Sequence, residues 1–138
     1  MVEAHLTGLV PLVQVYDMPR AFAFYGGVLG FAVLAQSPEV ETREGRFSHW
    51  MWLRRESVDV MLNTAYDSSE RPEAIDAQRW AGHADTCLFL GCSDVDAIHA
   101  ELTERGLAAA PVHDTPHGMR QFSVSDPDGY ELCFQQRR

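Results

Sequence analysis

Two tryptophans one residue apart, Trp50 and Trp52, precede a run that carries an acid, a thioether and an amide at alternate positions, Asp59, Met61 and Asn63. Residues two apart share one face of a β-strand. If Phe47 to Leu53 pairs with Val58 to Asn63 through Arg54 to Ser57, cross-strand parity puts both indoles on the side of Asp59, Met61 and Asn63. Val58, Val60 and Leu62 then face the other way, toward a helix. Flat aromatic walls with a few polar groups suit an aromatic or cationic small molecule, held by stacking and cation–π attraction. Such binding makes and breaks no bond. Parity alone adds Gln14, Phe89, Gln121 and Ser123 as further lining candidates.

Acid–base chemistry would draw on other residues. In Val112-His113-Asp114-Thr115-Pro116-His117-Gly118, two histidines and an aspartate sit close together in a polar loop, where they could form a flap or supply a general base. His83 also reads as a loop residue, and His49 as a packed one on the helix-facing side of its strand. Glu131 shares the face of Cys133 by parity, which makes it either an acid at a cavity rim or a solvated strand end. No Gly-rich phosphate loop, G-x-S-x-G or zinc-finger spacing is present.

These side chains need strands to hold them, and the chain supplies strands in two similar series. Gly8 to Tyr16 is β-branched and apolar, with Pro11 marking an irregular start. Asp17 caps a helix with Pro19 in its first turn, and Ala21, Phe24, Tyr25, Val28 and Leu29 recur at helical spacing until Gly30. Strands follow at Phe31 to Gln36, Phe47 to Leu53 and Val58 to Asn63, with a polar turn over Ser37 to Gly45. Ala65 to Asp85 is a polar linker with a helical turn expected from Pro72 to Trp80. The series then restarts with a strand at Cys87 to Cys92, a cap at Ser93 or Asp94, a helix ending at Gly106, and a strand through Ala108 to Val112. A hairpin closes it, in which Asp126-Pro127-Asp128-Gly129 joins Phe122 and Val124 to Leu132 and Phe134. Asp17…Ala21…Gly30-Phe31 parallels Asp94…Ala97…Gly106-Leu107, so the chain is an internal repeat of a βαβββ unit.

Composition narrows the partners. The chain has 138 residues, 46% of them hydrophobic, enough for a core without disulfide staples. Twenty acidic against eleven basic side chains give a formal charge of −9, which argues against nucleic acid and anionic lipid as partners. Three cysteines without a CxxC spacing form no disulfide framework and fit a reducing compartment. No leader pattern is seen and no apolar run approaches about 18 residues, so the expected location is cytoplasmic.

The doubled βαβββ unit resembles the vicinal oxygen chelate superfamily of glyoxalases, extradiol dioxygenases, and fosfomycin- and bleomycin-resistance proteins. Asp17-Met18-Pro19-Arg20-Ala21-Phe22-Ala23-Phe24-Tyr25…Leu29-Gly30-Phe31 and Gly118-Met119-Arg120-Gln121-Phe122-Ser123-Val124-Ser125-Asp126-Pro127-Asp128-Gly129 carry the resemblance. It implies an α+β fold in which two βαβββ repeats form a cupped half-barrel sheet, over 1–64 and 86–138 with 65–85 between them. It also implies a homodimer, since many relatives build each cavity from two subunits, and open sheet edges need cover. Metal-using relatives carry His, Gln or Glu on the first and fourth strands of each half. Here those positions fall on Val10, Met61, Cys87 and Cys133, none of which is such a ligand. Two thiols and a thioether would suit only a soft metal, and the same residues also serve as ordinary core.

The expectation is therefore a metal-independent, cofactor-free protein that binds a small aromatic or cationic molecule on the concave side. Its binding residues would be Trp50, Trp52, Asp59, Met61, Asn63, Cys87, Phe89, Gln121 and Cys133. The alternative is a lyase or dioxygenase with non-standard ligands drawn from His49, His113, His117 or Glu131.

Overall fold

The computed structural model describes residues 2–138. Strand β1, Leu12–Val15, is shorter than expected. Pairing starts where the Met61 N–H donates to the Pro11 carbonyl at 2.9 Å, and residues 2–11 carry no regular secondary structure. Helix α1, Met18–Phe22, opens with the Asp17 carboxylate accepting from the Arg20 N–H at 3.1 Å. It continues as a π-helical turn over Ala23–Val28, in which the Leu29 N–H reaches back to the Phe24 carbonyl at 2.9 Å. Gly30, at φ +84°, ends it.

Strand β2, Ala32–Gln36, follows, and then a small hairpin of β3, Val40–Thr42, and β4, Gly45–Phe47, where the sequence suggested only a polar turn. Strands β5, Trp50–Arg55, and β6, Val58–Thr64, are joined by the two-residue turn Glu56-Ser57, tighter than the expected Arg54-to-Ser57 loop. The helical turn expected from Pro72 lies further on, as α2, Ala77–His83, so His83 ends a helix rather than lying in a loop.

The second series is β7, Cys87–Gly91, α3, Val95–Glu104, β8, His113–Asp114, β9, Met119–Ser125, and β10, Glu131–Arg137. Asp94 is the α3 cap, accepting from the Ala97 N–H at 3.0 Å, and Gly106 at φ +101° is the counterpart of Gly30. The strand expected through Ala108 to Val112 is absent. Pro111 has no N–H to give a ladder, the Ala110 carbonyl lies 3.1 Å from His99 Nε2, and pairing is confined to His113 and Asp114. His113 is thus a strand residue, not part of a loop.

The result is an α+β fold with two mixed four-stranded sheets of equivalent order, β1-β6-β5-β2 and β7-β10-β9-β8. In each, the first strand runs parallel to the last. One core serves both: Val13, Val15, Met18, Tyr25, Leu53 and Leu62 from the first series join Val95, Leu102, Phe122, Leu132 and Phe134 from the second. The faces bearing these residues are turned inward because they hold the apolar member of each alternating pair.

The β9–β10 turn is a fastener between the series. The Asp126 carboxylate accepts from the Tyr25 hydroxyl at 2.6 Å and from the Asp128 and Tyr130 N–H groups at 2.8 and 2.9 Å. Asp128 accepts from the Tyr16 N–H at 2.7 Å, and the His83 ring stacks on Tyr130 at 4.0 Å. Both carboxylates are 3% exposed, and burial pushes both above the usual carboxylate range. On the other flank, Arg55 donates to the Leu29 carbonyl at 2.8 Å and to Glu101 at 2.9 and 3.1 Å. No helix among the described residues is long and apolar enough to cross a membrane.

Candidate functional site

The register of β5 with β6 sets the outer face of the first sheet. Trp50 stands opposite Asn63, Trp52 opposite Met61 and Arg54 opposite Asp59, so these six share one face. Their neighbours Leu53, Val60 and Leu62 are buried on the other. From β1, Gln14 pairs with Asn63 and accepts from its amide at 3.2 Å. All the outer residues but Arg54 are half-buried, so indole, thioether and amide surface is left available on a β-scaffold.

Asp59 is not a free anion. Its Oδ1 accepts from Arg54 Nε at 2.7 Å, and its Oδ2 from Arg54 Nη2 and from Trp52 Nε1, both at 2.9 Å. These hydrogen bonds hold its carboxyl below the usual range. Trp52 is thereby pinned by its ring N–H. Arg54, expected in the loop after β5, is a β5 residue that pairs with Asp59, the next position on the same face by parity.

On the second sheet, Cys133 pairs with Phe89 and with Ser123, while Gln121 pairs with His113 and with Gln135. Cys87 pairs with Glu131, one diagonal step from Cys133. Cys87, Phe89, Gln121, Ser123, Glu131 and Cys133 therefore share the outer face, with Phe89 60% exposed and Cys133 buried. Burial, with the Glu131 carboxylate beside it, pushes the Cys87 thiol up to about 11, and burial also raises Cys133.

The predicted residues form two sets, one on each sheet. A cavity of about 660 Å³ brings Trp52, Arg54 and Asp59 against the chain at Thr7 to Val10. Another of about 420 Å³, in the crevice between the series, joins Asp59 to Cys87 and Phe89 over Val60 and Leu132. A third, of about 460 Å³, lies beside it over Leu29, Phe31 and Phe134. Trp50, Met61, Asn63, Gln121 and Cys133 line none of these three.

The donor set does not fit the metal of metal-using relatives. Val10 offers no donor, and the thioether of Met61 and the thiols of Cys87 and Cys133 are soft groups where metal-using relatives carry His, Gln or Glu. Among the described residues no three of His, Cys, Asp and Glu are grouped to hold an ion. The histidines are dispersed. His49 lies just before β5 with Nδ1 2.5 Å from Thr64 Oγ1 and Nε2 2.7 Å from Ser68 Oγ, tying the 65–85 segment to the first sheet. His83 Nδ1 donates to the Asp128 carbonyl at 2.6 Å, and His117 lies in the β8–β9 turn.

Comparison with known proteins accords with this fold. The family model described as Glyoxalase/Bleomycin resistance protein/Dioxygenase superfamily matches residues 4–134. TnmS3, an antibiotic binding protein from Streptomyces sp. CB03234, is 31% identical, with 100% of this chain and 99% of that one covered and a TM-score of 0.65. A glyoxalase/bleomycin resistance protein from the same strain is 32% identical over 92% of this chain and 97% of its own, with a TM-score of 0.60. The bleomycin-binding protein of Streptomyces verticillus, solved with copper(II)-bleomycin, shares the fold at 20% identity, 99% and 100% coverage and a TM-score of 0.65. No curated protein matches the chain.

Proposed function

The chain belongs to the glyoxalase/bleomycin resistance protein/dioxygenase superfamily, and from that premise we propose that it sequesters a small aromatic, antibiotic-like molecule without a metal and without catalysis. One observation carries the reading: the β5–β6 register aligns Trp50 and Trp52 with Met61 and Asn63 on a half-buried face. Stacking on such a face supplies affinity, and the Asn63–Gln14 amide pair supplies orientation. An aromatic ligand is favoured over a purely cationic one because Asp59, the acid of this face, is already occupied by Arg54 and Trp52. The similarity to an antibiotic-binding structure at 31% identity supports the ligand class.

The same reading includes a homodimer. Strands β1, β2, β7 and β8 are sheet edges, and Leu6 and Leu9 in the N-terminal arm stand 101% and 91% exposed, so a second copy has both edges and apolar side chains to cover. Sedimentation velocity should give a single species of twice the 15.5 kDa chain mass.

Calorimetric titration with flat aromatic compounds tests the site. For a compound that binds, Trp50→Ala and Trp52→Ala should each weaken affinity about tenfold, corresponding to about 1.4 kcal/mol of lost stacking. Unchanged affinity in both variants would refute the aromatic wall.

A further inference from the structure

We infer that Arg54 selects the ligand: the face around Trp52 takes an aromatic ring bearing an anionic oxygen, a carboxylate or phenolate, in preference to one bearing a cation. The inference rests on the aromatic-wall reading above and adds a charge to it. A guanidinium has five N–H donors, and two of those on Arg54 are given to Asp59. Three have no acceptor among the described residues. Asp59 is the converse case: it accepts three hydrogen bonds and its side chain is 13% exposed, against 48% for Arg54. What the pair presents outward is therefore donor, not acceptor.

The surroundings add one further carboxylate, Glu56. In the cavity of about 660 Å³ the charged residues are Arg54, Asp59 and Glu56. Glu56 sits at the turn with its carboxylate on Arg55 Nε at 3.1 Å, and Arg55 in turn is held by Glu101 at 2.9 Å. A ligand ring lying on Trp52 meets the free edge of the Arg54 fork. A carboxylate there can accept from it in the planar geometry that guanidinium favours, whereas an ammonium finds like charge and an occupied Asp59. The net charge of −9 does not reverse this, since at ~0.1 M salt it is screened beyond about 10 Å while a contact pair is not.

The test uses three probes that share one ring system: 2-naphthoate, 2-naphthamide and 2-naphthylmethylammonium. Each is titrated into the full chain and followed through the indole N–H resonances, which register weak binding. 2-Naphthoate should bind about tenfold tighter than the ammonium probe, with the amide between them. In the Arg54→Gln/Asp59→Asn double variant, which removes both charges together, the three should bind alike. Trp52→Ala should weaken all three. Equal affinities in the unmodified protein, or tighter binding of the ammonium, would overturn the role of Arg54 while leaving the wall intact. Indifference of every probe to Trp52→Ala, or no binding by any, would overturn the wall and the charge preference with it.

Discussion

The β5–β6 and β9–β10 hairpins hold the same place in the two series, yet one turns in solvent and the other inside the molecule. Glu56 in the first turn is an exposed residue at φ +49° whose carboxylate pairs with Arg55. Asp126 and Asp128 in the second are buried and accept hydrogen bonds from Tyr25 in the π-helical turn after α1 and from Tyr16 just past β1. Duplicated topology thus supports two separate tasks. The second turn binds the series together, which leaves the first hairpin free to carry Trp50, Trp52 and Arg54 on its outer face.

The largest expected effect that follows from this contrast is at Asp126. Asp126→Ala leaves the Tyr25 hydroxyl and two backbone N–H groups without an acceptor in a buried site, and should lower stability by about 3 kcal/mol in urea unfolding. Glu56→Ala, the counterpart in the solvent-facing turn, should stay within about 0.5 kcal/mol. Equal losses would mean that the second turn is not the fastener.

A smaller effect separates packing from backbone strain. Gly129 and Gly106 both have φ near +90 to +101°, but a Cβ on Gly129 would lie 2.2 Å from the Trp80 carbonyl, whereas one on Gly106 meets nothing within 4 Å. Gly106→Ala should cost about 1 kcal/mol from backbone strain alone, and Gly129→Ala at least about 1 kcal/mol more, because α2 must move. Matching values by thermal unfolding would show that α2 does not press on the turn.

The smallest effect concerns the outer face of the second sheet, where thiols stand in place of indoles. With the Cys87 thiol pushed up to about 11, the thiolate that reacts is about 0.1% of the population at pH 8, against about a tenth for a cysteine at the ordinary 9.0. Iodoacetamide labelling resolved by peptide mass should run about a hundredfold slower at Cys87 than at a free cysteine, and should accelerate as pH rises toward 11. Labelling at the ordinary rate would show that burial and Glu131 do not hold the proton.

Much of the fold was legible from local chemistry. Asp17 and Asp94 cap, Gly30 and Gly106 terminate, and alternation gave which residues of β5, β6, β9 and β10 share a face, because each signal depends only on neighbours along the chain. The reading failed where a distant element supplied the partner. Ala108 to Val112 has strand-like residues but no ladder, since the Ala110 carbonyl is engaged from α3 and Pro111 cannot donate. His83 looked like a loop residue and is held by Tyr130 and Asp128 from the far end of the chain.

The sequence by itself therefore determined the doubled βαβββ plan and the sharing of one face by Trp50 and Trp52 with Asp59, Met61 and Asn63. Periodicity and residue type are sufficient for each of these. Only the tertiary structure decided the charge of the outer face and the burial of the Asp126-Pro127-Asp128-Gly129 turn. Both depend on which groups meet across space: Arg54 reaches Asp59 across a two-residue turn, and Tyr25 reaches Asp126 from the π-helical turn after α1. Neither a carboxylate's effective charge nor its exposure is a property of the carboxylate alone.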